Sequence, residues 1–387
     1  SASWVTTVKT STFTAVAGEG YFVNTTGGVV SVNLPAGVAG AVVAIKDYAG
    51  TFDTNKVTLV QNGSDKIGGS TVNATLSTEG LAVTLVFVDS TQGWLVTDNG
   101  TQDTAPTTRF ITATGGTITC SGNFRIHTFT GPGALCVSCA GNPSGSTTVD
   151  YLVVASGGGG GSGLGGGGGA GGFRTNFPSS CSGIPVSVQP YPIAVGSGGA
   201  AGIPDGGSGT PGNNSTFSSI TSTAGGGAVA RSSPTPVGPG GSGGGGSGLA
   251  AYPGGTGNTP PTSPPQGNDG GDGSSGTKRS GGGGGGAAGD GGDALSATYA
   301  VGGVGSSNSI TGSAIFYAGG GGGNGDPGGP APSGLGGNGG GGNGGPSTNG
   351  TAGAANTGGG GGGGAGSCSN GAAGGSGIVI IRYKFQN

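Results

Sequence analysis

The side chains that could carry out catalysis are few. His127 is the single histidine of the chain, and it lies in a strand-like run whose alternation does not assign it to one face. Composition alone does not exclude a serine nucleophile paired with His127, but no Gly-x-Ser-x-Gly elbow occurs at a strand-to-helix turn. The many Gly-x-Gly-x-x-Gly matches follow from the glycine content, and no helix is predicted to complete a dinucleotide site. The sequence therefore predicts no catalytic residue, no cofactor and no enzyme.

Acidic residues cluster in two glycine-rich stretches. Asp269 and Asp272 lie in the first stretch, and Asp290 and Asp293 lie in the second. Both resemble calcium-binding glycine–aspartate repeats, but they lack the regular nonapeptide period and its apolar position. We therefore predict solvated turns and no metal site. Glycan hydrolysis would need two carboxyl groups about 5–9 Å apart in a groove, and most acidic residues of this region lie beside glycine instead.

The chain contains five cysteines, Cys120, Cys136, Cys139, Cys181 and Cys368. An odd number leaves at least one thiol unpaired within the chain. Cys181 and Cys368 bracket the glycine-rich region and are candidates for a disulfide that staples it. The lone Cys-x-x-Cys motif lacks the second pair of ligands that a structural zinc site needs.

Aromatic and cationic side chains in the inserts between glycine runs are the candidates for receptor binding. They are Phe173, Arg174, Phe177, Tyr191 and Tyr252. Aromatic faces with polar neighbours suit sugar rings, and binding residues concentrate on loops over a rigid scaffold. The alternative is that these aromatic side chains cap the ends of a glycine bundle. The sequence leaves both interpretations open.

The composition excludes several classes of partner. Glycine accounts for 105 of the 387 residues, charged residues for only 7%, and the formal net charge is −3. Nucleic acids and anionic membranes bind clustered Lys and Arg, and no stretch approaches the roughly 20 apolar residues of a membrane span. We therefore predict no nucleic-acid partner and no membrane insertion. The start at Ser1 and the absence of Met indicate a processed product or a piece of a longer chain.

Residues 1–100 are predicted to form a β domain of the sandwich or barrel-like type. Apolar runs rich in Val, Thr, Phe and Trp recur between glycine and asparagine turn signals. These runs are 20–23, 29–34, 41–48, 56–60, 81–88 and 93–97. No window has a convincing helical period. Residues 101–108, TQDTAPTT, have the composition of a polar linker.

The remainder of the chain is predicted to be a β collar, 109–156, that clamps a glycine-rich domain, 157–377, with a closing strand at 378–387. Glycine runs are either flexible linkers or polyglycine II helices, the left-handed conformation with three residues per turn. We favour the helices, hydrogen-bonded sideways into a bundle. Each lateral bond contributes only about 1 kcal/mol, so the bundle needs clamps, and the apolar runs 149–155 and 378–385 are placed to pair with each other. The predicted class is all-β with essentially no α-helix.

Four motifs frame the glycine-rich region: FRIHTFTGPG at 124–133, VDYLVVA at 149–155, GGFR at 171–174 and GIVIIRY at 377–383. Together they resemble the glycine-rich domain of bacteriophage tail fibres and virion-associated proteins, particularly those of marine cyanophages. The resemblance covers roughly residues 109–387, and residues 1–100 also look like a module of such fibres. Long inserts at 232–240 and 252–267 depart from the pattern, either as variable recognition loops or as tolerated insertions.

The resemblance implies a tail-fibre or virion-fibre protein on the particle surface, homotrimeric through residues 1–156, that attaches to the bacterial host. Its implied partners are a bacterial surface glycan or outer-membrane protein, and other tail or capsid proteins. In some members of this group, loops that connect polyglycine II helices bind the receptor. One alternative is a structural appendage protein without a receptor. A remote alternative is an ice-binding protein, because such bundles can present flat, regular faces.

Overall fold

The computed structural model describes residues 2–100, 108–178, 183–204, 207–231, 238–249, 251–275, 279–294, 300–325, 333–366 and 368–387. Every regular element within these ranges is a β-strand, which confirms the predicted all-β class. None of the described residues forms a helix long and apolar enough to cross a membrane. The chain divides into two compact units, 1–107 and 108–387, which are described separately. The predicted linker at 101–108 lies almost entirely outside the described residues.

The first unit is a two-sheet β-sandwich. Its strands are β1 (Ser3–Lys9), β2 (Phe13–Thr14), β3 (Glu19–Val23), β4 (Val30–Asn33), β5 (Val42–Asp47), β6 (Val57–Val60), β7 (Ala74–Leu76), β8 (Ala82–Phe87) and β9 (Trp94–Gly100). Five of them form one sheet in the order β1-β3-β5-β8-β9, and four form the other in the order β2-β4-β6-β7. Neither sheet closes into a barrel among these strands. Of the two predicted forms, sandwich and barrel, the unit therefore adopts the sandwich.

The path of the first unit is a short coil. Strands β1 to β6 alternate between the two sheets, and each pairs in parallel with the next strand of its own sheet. Strands β7 to β9 then close the sandwich with antiparallel pairs. Alternation in β8 turns Val83, Leu85 and Phe87 inward, where they meet Leu59 and Trp94 in one core. Burial of one face of each sheet is what holds this unit together.

A buried carboxylate organises the turn after β5. Asp47 is only 3% exposed. Its Oδ1 accepts hydrogen bonds from the backbone N–H groups of Gly50 and Thr51, at 3.0 and 3.2 Å. Its Oδ2 accepts from Phe52 and Gly80, at 3.2 and 2.9 Å. One side chain therefore satisfies four backbone donors in two separate turns, as buried polar groups require.

The second unit begins with two facing sheets. Its strands are β10 (Ile111–Thr114), β11 (Thr117–Ser121), β12 (Phe124–Phe129), β13 (Gly133–Ala140), β14 (Thr148–Val154), β15 (Phe173–Thr175), β16 (Ile184–Pro185), β17 (Pro190–Ala194), β18 (Ser215–Phe217), β19 (Ile220–Ser222), β20 (Ser306–Asn308), β21 (Ile315–Tyr317) and β22 (Ile378–Lys384). One sheet has the order β10-β13-β17-β18-β19. The other has the order β11-β12-β22-β14-β15, with β16 also paired to β14, and β20 and β21 form a separate hairpin.

The predicted pairing of the two apolar runs around the glycine block is confirmed. Strand β22 pairs antiparallel with β14 on one side and with β12 on the other, so it is the central strand of its sheet. Val379 and Ile381 pack between the two sheets, in what we call the inner core. Ile378 and Ile380 pack on the opposite face with Ala170, in what we call the bundle-facing core. The nearly continuous apolar character of this run reflects burial of both faces.

The first part of the predicted β collar forms two strands, β10 and β11, that join different sheets. The break lies at Gly115 and Gly116, whose φ angles are +116° and +63°. A Cβ atom at Gly115 would lie 2.0 Å from the carbonyl oxygen of Ala134. Glycine is therefore needed there both for its backbone conformation and for the close approach of β13.

The glycine runs form helices that hydrogen-bond only to their neighbours. In the run 157–162, Gly157 and Gly160 donate to the carbonyl oxygens of Gly375 and Ala372, at 3.0 and 2.8 Å. The donor advances by three residues while the acceptor retreats by three, so the partner segment runs antiparallel and the helix has three residues per turn. In the runs 165–172, 281–287, 319–325 and 360–365, successive hydrogen bonds to one neighbouring segment are likewise three residues apart.

The glycine helix at 157–162 is surrounded on all sides by neighbouring segments. The N–H groups of 157–162 reach three antiparallel segments: 372–375, 166–169 and 207–210. Its carbonyl groups accept from three parallel segments: 199–202, 361–364 and 228–231. Six neighbours around one side-chain-free helix define a polyglycine II bundle, the ordered form that the sequence analysis favoured. The backbone groups of these runs are thereby satisfied although the runs are buried.

Aspartate side chains complete the hydrogen bonding at the surface of the bundle. Asp269 Oδ1 accepts from the N–H of Gly257 at 2.7 Å, and Asp290 Oδ1 accepts from the N–H of Asp269 at 3.2 Å. One helical turn further on, Asp293 Oδ1 accepts from the N–H of Asp272 at 2.8 Å. No three metal-ligating side chains of the described ranges gather into a site. The glycine–aspartate stretches thus serve as caps for outward-facing backbone donors.

Candidate ligand-binding cleft

A cleft of about 750 Å³ opens beside one end of the six-stranded sheet of the second unit. It lies against β12, β14 and β22, and its walls combine aromatic rings, prolines, hydroxyl groups and charges. The side chains that line it include Phe124, Pro143, Thr147, Thr148, Asp150, Phe177, Pro178, Arg382 and Lys384. This mixture of apolar walls and a few polar groups is typical of small-molecule sites.

Arg382 is the central side chain of the cleft. Its guanidinium carbon lies 3.9 Å from the ring centre of Phe124 and 4.7 Å from that of Phe177. Two cation–π contacts, each worth about 0.5–2 kcal/mol, therefore hold the planar group in place. Its Nε is buried, and no described residue accepts a hydrogen bond from it.

Asp150 is the acidic counterpart of Arg382. The two residues lie directly opposite each other in the pairing of β14 with β22. Burial raises the pKa of Asp150, and the charge of Arg382 opposes the rise. Burial likewise lowers the pKa of Arg382, and Asp150 opposes the fall. For both groups the loss of hydration outweighs their mutual attraction, so neither charge is fully compensated within the cleft.

Most residues that line this cleft lie in a part of the chain that matches a known protein family. Residues 130–384 match the family model described as a glycine-rich domain. The chain belongs to the glycine-rich domain family. A comparison with curated proteins finds no match. The range that matches the glycine-rich domain contains Asp150, Phe177 and Arg382, whereas Phe124 precedes it.

Three of the predicted receptor-binding residues lie on or just after β15 of the glycine-rich domain. Phe173 and Phe177 are half-buried and pack against the bundle-facing core. Arg174 donates from Nη1 to the carbonyl oxygen of Thr221 at 3.2 Å. Of these three residues, Phe177 is the one that lines the cleft.

Tyr191 and Tyr252 lie elsewhere in the glycine-rich domain. Tyr191 is 8% exposed within the inner core, and its hydroxyl accepts a hydrogen bond from the N–H of Ser187 at 2.8 Å. Tyr252 is half-buried, and its carbonyl oxygen accepts from the N–H of Gly273 at 3.0 Å. The fold therefore does not gather the five predicted residues into one site, and their role in recognition stays a prediction.

The predicted disulfide involves a residue outside the described part of the chain. Cys181 is that residue, so its pairing with Cys368 stays a prediction. Cys368 is exposed, as are Cys120 and Cys136, and Cys139 is half-buried.

Arg382, Asp150 and Phe124 were not among the predicted site residues. A signal was nevertheless present, because Arg382 interrupts the apolar run IVIIRY and Asp150 interrupts VDYLVV. A charge within a strand that is buried on both faces is costly unless it is paired and hydrogen-bonded. Such an interruption is a better guide to this site than aromatic content alone.

His127 has a structural role in the sheet of the glycine-rich domain. Its side chain is fully buried. Nδ1 lies 2.7 Å from the carbonyl oxygen of Gly115, and Nε2 lies 3.0 Å from the hydroxyl of Tyr383. The neutral ring with its proton on Nδ1 satisfies both contacts, since Nδ1–H donates to the carbonyl and Nε2 accepts from the hydroxyl. Burial lowers the pKa of His127, which favours this neutral form.

We expect the second unit to lose stability as the pH falls below about 6.5, the ordinary pKa of histidine. The unfolded chain then takes up a proton that buried His127 resists, so the free energy of unfolding falls with a slope of up to about 1.4 kcal/mol per pH unit. The loss ends once the pH is below the lowered pKa of the folded state. Denaturant titrations between about pH 7.5 and pH 5 measure this slope.

The matched variant for this prediction is His127→Gln, which should flatten the slope. Both proteins are compared in an Asp150→Asn background, because the raised pKa of Asp150 contributes with the opposite sign. An unchanged slope in His127→Gln would show that another group titrates.

Proposed function

We propose that the chain is a bacteriophage tail-fibre or virion-fibre protein that attaches the particle to the surface of its bacterial host. The observation that supports this most directly is the pairing of β14 with β22, which closes a bundle of hydrogen-bonded glycine helices between the framing motifs. Such a bundle is a stiff scaffold whose helices are joined by inserts. Recognition residues tend to lie on segments held by a rigid scaffold.

The partners follow from this proposal. The receptor is a bacterial surface glycan or an outer-membrane protein, and the remaining contacts are with other tail or capsid proteins. Assembly is a homotrimer through residues 1–156. The low charged fraction of 7% supports a fibre that recognises its target at a local site rather than through a broad charged surface.

Binding of the purified chain to intact marine cyanobacterial cells tests the proposal, with the mass of the chain measured by light scattering. Saturable binding by a trimer is the expected result. A stable assembly that binds no cells of a broad host panel would contradict attachment and would favour a structural appendage. A monomer that binds cells would contradict the trimer alone.

A further inference from the structure

The guanidinium group of Arg382 is held in position, while its Nε has no hydrogen-bond acceptor among the described residues. Its guanidinium carbon lies within cation–π distance of the rings of Phe124 and Phe177, and Arg382 lines the cleft, so its planar fork can reach a ligand there. A buried Nε without an acceptor lowers the stability of the fold. What distinguishes Arg382 from Arg125, which has the same buried Nε, is that Arg382 lines the cleft. A planar guanidinium fork in such a place matches a carboxylate in two parallel hydrogen bonds.

The charges of the cleft favour an anion that also carries hydroxyl groups. Arg382 and Lys384 supply two cations against the single carboxyl group of Asp150, whereas the chain as a whole carries a net charge of −3. Asp150 can accept hydrogen bonds from ligand hydroxyls, and the side chains of Thr147 and Thr148 can donate or accept.

The walls of the cleft favour a sugar over a peptide or a nucleic acid. Pro143, Pro178 and the edge of Phe124 supply apolar surface for the C–H face of a pyranose ring. The hydroxyl and carboxyl groups described above suit its polar edge. The volume of about 750 Å³ lies within the roughly 300–1,000 Å³ of ligand pockets. A polyanion such as nucleic acid would need a continuous basic surface, and the cleft offers two cations.

We propose that this cleft binds the carboxylated sugar unit of an acidic glycan, a hexuronate, with its carboxylate on Arg382. Lys384 supplies the second positive charge, and Asp150 binds ring hydroxyls. This inference rests on the proposed function, because it names the chemical class of the host-surface receptor.

Calorimetric titration of the full chain with oligosaccharides of galacturonate and of glucuronate tests the inference. We expect saturable binding of at least one of them, and no binding of its methyl ester, which removes the charge and keeps the sugar. Arg382→Gln should weaken binding about tenfold or more, the loss of a charge-assisted hydrogen bond. Arg382→Lys should recover part of this loss, because it restores the charge without the planar fork.

Arg125→Gln is the matched control. Arg125 lies on β12, beside Tyr383 rather than Arg382 in the pairing with β22. Like Arg382 it stacks on a phenylalanine, Phe385 at 4.7 Å, and has a buried Nε without a described acceptor. Arg125→Gln should therefore lower the stability of the fold by an amount similar to Arg382→Gln, but leave the affinity for the oligosaccharide unchanged. Thermal unfolding of each variant verifies that the fold is intact.

Several results would overturn the inference. One is that folded Arg382→Gln binds the oligosaccharide with the same affinity as the wild type. Another is that the methyl ester or a penta-glutamate peptide binds as tightly as the oligosaccharide. The last is that no oligosaccharide shows saturable binding at millimolar concentrations. A chain that binds host cells but no hexuronate refutes the cleft assignment and leaves the attachment function standing. A chain that binds hexuronate through Arg382 but binds no cells refutes attachment and leaves the cleft assignment standing.

Discussion

Replacing Gly168 with alanine is expected to prevent the second unit from folding, lowering its free energy of unfolding by more than about 4 kcal/mol. The new Cβ atom would lie 2.1 Å from the carbonyl oxygen of Gly158. Gly168 also donates to Gly361 at 2.7 Å and accepts from Gly321 at 2.9 Å. Moving the helix to relieve the clash would therefore break bonds to other neighbours. Hydrogen exchange measures the effect, because the protected glycine amides of the wild type should exchange freely in the variant.

Gly131→Ala is the control for this substitution. Gly131 lies in the same unit, in the connection between β12 and β13, and a Cβ atom there would meet nothing within 4 Å. The free energy of unfolding of the second unit in Gly131→Ala should differ from that of the wild type by less than about 1 kcal/mol. Protected amides and an unchanged melting temperature in Gly168→Ala would mean that the glycine helices are not packed backbone to backbone.

The second large effect is expected from Asp47→Ala in the first unit. The substitution leaves four backbone N–H groups without their acceptor, two of them belonging to the buried residues Phe52 and Gly80. We expect a loss of about 3–5 kcal/mol in the free energy of unfolding of this unit. Urea denaturation followed by tryptophan fluorescence measures it selectively, because Trp4 and Trp94 are the two tryptophans of the chain and both belong to the first unit.

Asp53→Ala is the comparison for Asp47→Ala. The carboxylate of Asp53 is exposed. Among the described residues it accepts hydrogen bonds from Thr54, from the N–H at 2.8 Å and from the hydroxyl at 3.3 Å. Its loss should cost less than about 1 kcal/mol. Similar losses in the two variants would rule out the buried carboxylate as the organiser of the turns.

The strands of the first unit were predictable where one face is buried and the other is not. Strand β8 shows this alternation residue by residue. Strand β1, by contrast, has no buried residue, since all its residues are exposed or half-buried. Its sequence therefore lacks the alternation of apolar and polar residues that marks a strand with one buried face. The parallel pairing of β1 with β3 was not predictable, because alternation fixes the face of a residue and not the neighbour of its strand.

The candidate site was less predictable than the fold, because its residues are distant in sequence. Phe177, one of the residues predicted from the aromatic insert, lines the cleft. Its contact with Arg382, however, depends on the register that sets Asp150 opposite Arg382. Tyr191 illustrates the converse, since its alternation with Ile193 along β17 turns both side chains into the core. Amino-acid composition alone does not distinguish a tyrosine in the core from one that binds a ligand.

The central position of β22 has a consequence for biosynthesis. Val154 pairs with Ile378, and Phe124 pairs with Lys384, so the sheet lacks its middle strand until the entire glycine-rich segment has left the ribosome. Closing so long a loop costs entropy, and pairing over such separations is slow. The first unit joins strands that follow each other closely and can finish earlier. During synthesis there is therefore an interval in which the first unit is folded while the glycine-rich segment is still unfolded. Proteases can cleave that segment most readily during this interval.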